Sequence, residues 1–386
     1  MSRFLLHSDV IADYRGTIAS PGAILLEGNA IQAVGSPQDV GHPESAKCIQ
    51  LDGMITPSFV NAHSHLDLSG LGPVPQTESF AEWLVEIVRP IRLDSASIPE
   101  HVRKGIELSM AGGSRIIGDI AGTQLAAEIV ASSELLPVSY VEVIGFGRGQ
   151  HAAKEKVLGI PDQFDISPHA PYTCSLEVYK ACFESGKKVS THLSESTAEL
   201  EFVQHHSGDI FEYLTKVDAW DETVQPWREH PIDVLLHLAD GCPFLAAHLN
   251  YIEDRHLAMI ANSNMSVVYC PRASAYFGHV DHRWMELVAA GVNVALGTDS
   301  LLCLDTPDRI SVLDEMRLLY KRDGEEANLL MQMATINGAC ALGIEPSLVT
   351  MSEGETAGLL WFDGIESMGA LLDSSVQPQW AIPRQA

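Results

Sequence analysis

His63 and His65 close the run ITPSFVNAHSHLDLS, one residue apart. In an extended chain successive side chains alternate faces, so these two imidazoles leave the strand end on the same side. Two neutral imidazoles on rigid backbone supply half of a four-coordinate metal site. His192 in THLSES and Asp299 in ALGTDS complete a set of His63, His65, His192 and Asp299. Nitrogen and carboxylate donors with one open position keep a divalent cation Lewis acidic, and can lower the pKa of bound water from ~15.7 toward ~7. Asp299 therefore counts among both the ligands and the catalytic residues. The runs VSYVEVI and FDISPH contain no lysine that could be carboxylated to bridge a second ion, so one cation is expected.

Two further residues admit two readings each. Glu195, three residues after His192, can move a proton between water and substrate, or it can cap the helix that starts at Ser196-Thr197. His248 can hydrogen-bond a developing tetrahedral oxygen, or it can be a fifth ligand. His205, His206 and His237 lie on helical patterns and read as surface or packing residues. Cys270 reads as a packed small hydrophobe.

Positioning these groups takes strands whose ends meet. Short apolar runs at Ile55–His63, Arg115–Ile120, Val138–Ile144, Phe164–His169, Lys188–His192, Phe244–Asn250, Met265–Cys270 and Val292–Asp299 alternate with amphipathic stretches such as SFAEWLVEIVRPIRL, HVRKGIELSMAGG and SLEVYKACFESGK. Eight such units predict an α/β fold, a (β/α)8 TIM barrel over residues 55–349, with the candidate residues at the C-terminal strand ends where barrel enzymes work. Residues 1–54 and 350–386 break the rhythm. Their short strands and turn signals, including Thr356–Asp363, predict a small β domain built from both termini. The segment Lys216–Pro231, carrying two Trp and two Pro, reads as an irregular excursion.

With 24 Lys and Arg against 51 Asp and Glu, the net charge of −27 repels phosphate backbones and anionic membranes, which argues against nucleic acid or membrane partners; the partner expected of the metal site is a small-molecule substrate. No apolar run approaches the ~18 residues of a membrane span, and seven scattered cysteines form no CxxC pair. A cytoplasmic protein is expected. Nothing in the sequence selects between a monomer and a homo-oligomer.

The strings NAHSHLDLS, SPHAPYTCS, THLSES, AAHLNYI, YCPRASAYFGH and ALGTDS occur in an order and spacing that resembles the amidohydrolase superfamily, in its deaminase and chlorohydrolase branch. The resemblance covers nearly the whole chain. It implies a mononuclear hydrolase holding zinc, or alternatively ferrous iron, on His63, His65, His192 and Asp299, with Glu195 and His248 as the catalytic acid–base pair. Within the branch, SPHAPYTCS, FAEWL and the His192–Glu195 spacing resemble adenosine-type deaminases, including S-adenosylhomocysteine, methylthioadenosine and aminodeoxyfutalosine deaminases. That likeness implies that His169 contacts a nucleoside, that Glu82 binds ribose hydroxyls, and that Arg148 in FGRGQ holds a polar tail. Glu82 also fits a solvent-facing helix position. His279 falls in YCPRASAYFGH, where Ala-Ser replaces the Ser-Asn common in relatives. The expected reaction is replacement of an exocyclic amino group on a purine nucleoside-like substrate by oxygen, with release of ammonia. A chlorohydrolase, a guanine or cytosine deaminase and a cyclic-amide hydrolase are the nearer alternatives, and a non-catalytic scaffold is the remote one.

Overall fold

A computed structural model describes residues 2–77, 79–216 and 220–382. Eight parallel strands, Phe59–Ser64, Ser114–Ala121, Leu136–Val143, Asp165–Pro168, Val189–Leu193, Phe244–His248, Met265–Tyr269 and Val294–Leu296, pair in chain order. A parallel bridge between Ser64 and Asp299 brings the eighth strand back to the first and closes the barrel at the functional end. The sixth strand is buried along its whole length, as expected of parallel strands covered on both faces. Helices follow the strands, and Val312–Asp323, Ala327–Met333 and Ile336–Leu342 come after the eighth.

The expected first strand, Ile55–His63, is two strands. Lys47–Pro57 belongs to a second, mixed sheet, and the barrel starts at Phe59. The break follows from hydrogen bonding: Pro57 has no N–H, Ser58 N–H donates to Gly358 O in the mixed sheet, and Phe59 N–H donates to Gly113 O beside the barrel. The chain changes sheets within two residues, which the strand-like pattern of the run does not reveal.

The mixed sheet orders Gly354–Glu355, Ala30–Gly35, Gly22–Glu27, Arg3–Asp13, Lys47–Pro57, Leu359–Asp363 and Gln379–Trp380 side by side, so both chain ends contribute. Leu6, Ile24, Ile31, Ile55 and Leu359 pack on one face; Leu5, Ala23 and Leu25 pack on the other. Gly53 carries a φ of 111°, and a Cβ there would lie 2.3 Å from Phe362 O, so a side chain would part the strands that join the two termini.

The sequence SFAEWLVEIVRPIRL forms one continuous helical run over 80–93, whose middle, Trp83–Val88, is wound as a π-helix. Pro90 cannot donate to the preceding turn, which accounts for the wider winding just before it. Residues 220–230 form no helix or strand, matching the expected excursion, whose residues 217–219 lie outside those described. Among the described residues no helix is long and apolar enough to cross a membrane.

Candidate active site

Strand ends deliver the side chains to one point. His63 comes from the first strand, His192 from the fifth and His248 from the sixth, with His65 one residue past the first strand. Asp299 follows the eighth. All five are buried, as is Glu195. Potential ligand atoms of His63, His65 and His192 lie within 4.8 Å of one another, and so do those of Glu195, His248 and Asp299. Asp299 Oδ1 joins the two groups, standing 3.4 Å from His65 Nε2 and 3.9 Å from His63 Nε2.

The backbone bends sharply here. Ser194, His248, Leu249 and Asp299 all have left-handed φ values, between 53° and 75°. Non-glycine residues reach that region at a cost of about 1–2 kcal/mol each, so the surrounding fold must impose it. At Asp299 the turn lets Oδ1 accept the Ser300 N–H at 2.7 Å. The helix after Glu195 is capped by Ser196, whose hydroxyl accepts the Glu199 N–H at 3.1 Å. Glu199 in turn accepts the Ser194 and Glu195 N–H groups, both at 2.8 Å. Capping thus falls to Ser196 and Glu199, and Glu195 Oε1 stands 3.7 Å from His248 Nε2.

The residues fit a cation. Both ring nitrogens of His63 and Nε2 of His248 are buried without a hydrogen-bond partner. His65 Nε2 and His192 Nε2 are 3.1 Å apart, near the about 3.3 Å spanned by two nitrogens on one tetrahedral zinc. The surrounding partners assign the protons: a guanidinium only donates, so Arg92 Nη2 donates to His65 Nδ1 at 3.2 Å, and His192 Nδ1 donates to His169 O at 2.8 Å. In this arrangement the His65 proton sits on Nε2 and points at the His192 Nε2 lone pair. Burial, reinforced by the neighbouring histidines, pushes His63, His65 and His248 well below the usual imidazole pKa, and burial is the main reason His192 falls to about 3. Neutral rings are the ligating form. Burial raises Asp299 to about 7 and, with Asp299 and Glu199 nearby, holds Glu195 well above the ordinary carboxylate range.

A cavity of about 440 Å³ opens onto this cluster. Phe80, Trp83, Leu84, Val88 and Tyr172 form much of its apolar wall, and His65, His169, His192, Glu195 and Asp299 line its polar end. The His169 ring lies 4.9 Å from that of His192, with Nδ1 bonded to Thr173 Oγ1 at 2.7 Å.

Three expected substrate contacts are not brought to the cavity. Ser79 caps the helix by accepting the Glu82 N–H at 3.2 Å, which turns Ala81 and Trp83 inward and leaves Glu82 exposed. Arg148 is 89% exposed at its side chain, with Nε 3.6 Å from Oδ2 of the buried Asp221. His279 is half-buried against Tyr251, with Nδ1 2.8 Å from the phenol oxygen, and is not part of the lining. Conversely, the sequence reading missed Arg92 and Glu142, which do line the cavity, joined by an Nη1–Oε2 contact of 2.6 Å. A carboxylate inside the apolar run VSYVEVI was a usable signal for Glu142, because a buried charge needs a partner. Arg92 sits among charged helix residues and gave none.

Residues 54–381 match the amidohydrolase family. The aminodeoxyfutalosine deaminase of Deinococcus radiodurans is 25% identical over 398 residues, covering 92% of this chain and 90% of its own. Among solved structures, Helicobacter pylori aminofutalosine deaminase in complex with methylthio-coformycin superimposes with a TM-score of 0.77 at 20% identity, over 97% of each chain. A zinc-bound adenosine deaminase from Xanthomonas campestris does so with a TM-score of 0.76 at 20% identity, over 94% of this chain and 85% of its own. With the family match running over residues 54–381, which include the whole barrel, the chain belongs to the amidohydrolase family.

Proposed function

We propose that this protein is a metal-dependent aminohydrolase that replaces the exocyclic amino group of an adenosine-type nucleoside or aminodeoxyfutalosine with oxygen and releases ammonia. The observation that carries the reading is the convergence of three histidines, Asp299, Glu195 and His248 at the polar end of one largely apolar cavity. The similarity to the Deinococcus aminodeoxyfutalosine deaminase supports the choice of substrate.

In this reading His63, His65, His192 and Asp299 hold one divalent cation, zinc in preference to ferrous iron. When bound, the cation supplies Lewis acidity and makes water nucleophilic at neutral pH. Glu195 is the proton carrier. Its carboxylate can take a proton from the attacking water and pass it to a ring nitrogen of the substrate, then take the remaining proton of the added oxygen and deliver it to the departing amine. His248 stands beside Glu195 with Nε2 unpartnered, placed to hydrogen-bond oxygen as the attacked carbon becomes tetrahedral. His169 contacts the heterocycle from the strand-four side, and Trp83 and Phe80 exclude water from its faces. Glu82, Arg148 and His279 carry no role in it.

Ammonia release from adenosine-type nucleosides, adenine and guanine, with chloride release from chlorinated triazines measured beside it, tests the reading. Ammonia from nucleosides, at specificity constants about 100-fold above those for free bases, is the expected result. Chloride as the main product, or equal rates on base and nucleoside, would replace it with one of the sibling activities.

A further inference from the structure

Glu142 is a cavity-lining carboxylate that the chemistry proposed above does not use. It is buried at the end of the third barrel strand, lines the cavity, and belongs to neither metal-ligating group. Its Oε2 accepts Arg92 Nη1 at 2.6 Å, while Oε1 has no hydrogen-bond partner among the described residues. Arg92 holds it rigidly: the guanidinium is partly buried, spans Glu142 and His65, and places Nε 3.3 Å from Asp67 Oδ2. Burial opposes the charge on Glu142, yet Arg92, with His169, His192 and Lys156, keeps its pKa below the ordinary range, so the free oxygen is a strong acceptor. Arg92 has little left to offer an anion, because Glu142 and Asp67 already face it.

We propose that Glu142 is a specificity-determining residue, whose Oε1 accepts a hydrogen bond from one hydroxyl on the non-reacting part of the substrate. The proposal rests on the nucleoside-deaminase reading and deepens it, since it assigns the sugar contact to the third strand and not to the exposed Glu82. A carboxylate with both oxygens free can chelate two vicinal hydroxyls, one on each oxygen, whereas Oε1 alone lacks that two-point geometry and favours one hydroxyl over the other. Of the two ribose hydroxyls, therefore, only one should matter.

Specificity constants for the nucleoside, its 2′-deoxy and 3′-deoxy forms and its 2′,3′-dideoxy form, measured on wild type, Glu142→Gln and Glu82→Ala, provide the test. In wild type, loss of one particular hydroxyl should lower the constant about 10–100-fold and loss of the other less than about 3-fold. Glu142→Gln should shrink the ratio of hydroxylated to dideoxy substrate to about 3-fold or less, and Glu82→Ala should keep it. Using a ratio within one variant cancels general damage to the cavity. Glu142→Asp, which retains the charge but withdraws the oxygen by one methylene, should fall between wild type and Gln and serves if the Gln variant does not fold. A structure of the wild-type protein with a bound nucleoside analogue needs no variant: a hydroxyl oxygen within about 3.2 Å of Oε1 is expected. An unchanged ratio in the Glu142 variants, or a sugar lying away from Oε1, overturns the assignment while leaving the deaminase reading intact. No ammonia from any nucleoside with wild type overturns both.

Discussion

In the mixed sheet, Leu6, Ile24 and Ile55 are fully buried among other aliphatic side chains. At the barrel mouth, residues just as buried are His63, His192, His248, Glu195 and Asp299, with ring nitrogens left unpartnered and the backbone at His248, Leu249 and Asp299 in the left-handed region. One region removes apolar surface from water and gains stability from it. The other holds desolvated polar groups and strained turns that lower stability unless a cation and a substrate complete them. Both regions are equally shielded from solvent, so burial alone does not distinguish structure from function. The chemistry of what is buried does.

Glu195→Gln tests the contrast hardest. Turnover should fall by about 10²–10⁴ while metal content holds and the melting temperature stays level or rises, because a desolvated acid gives way to an amide of the same shape. Loss of the metal together with a lower melting temperature would mean that the mouth is built for stability after all. In the mixed sheet the opposite outcome is expected: Ile24→Ala should cost about 2–5 kcal/mol in denaturant unfolding and leave turnover of the folded fraction unchanged.

Acid should find the mouth first. His282 stacks on Tyr269 at 3.7 Å between centroids and donates Nε2–H to His248 O at 2.6 Å, and burial lowers its pKa to about 3. The unfolded chain takes up a proton here near pH ~6.5, and the folded chain only near 3, so the unfolded state binds more protons across that window. Stability therefore falls as pH drops below ~6.5, by about 2 kcal/mol at pH 5 from this group. His282→Gln, which retains a donor, should reduce the difference between unfolding free energies at pH 7 and pH 5 by that amount. Identical differences in variant and wild type would remove His282 from the account.

The smallest effect lies outside both regions. Asp240 is an exposed helix-ending residue with a φ of 45°. Asp240→Gly should raise stability by about 0.5–1 kcal/mol without changing turnover, since strain there serves no site. A matching loss of activity would extend the functional region well beyond the mouth.

How far the sequence reaches varies with the kind of contact. The barrel was legible because short apolar runs recur eight times with amphipathic stretches between them, and the mixed sheet because both termini break that rhythm. The change of sheet at Pro57 was not, since Ile55–His63 reads as one strand-like run and only the partners of Ser58 and Phe59 separate its halves. His63, His65, His192, His248 and Asp299 were readable for a local reason: each stands at or just beyond the end of an apolar run, and in a closed barrel all strand ends meet.

Cavity walls follow another rule. Glu82 and Arg92 lie ten residues apart on one helical run, and periodicity cannot say which faces the substrate, because Ser79 sets the helix phase and a π-wound turn shifts it midway. Arg92 reaches Glu142 across 50 residues, a pairing no spacing encodes. The sequence by itself determined the barrel, the terminal sheet and the polar residues at the strand ends, since those depend on local period and strand direction. Only the tertiary structure decided that Glu142 and Arg92 line the cavity while Glu82 and Arg148 face water, because that depends on how a helix is rotated and seated over strands distant in the chain.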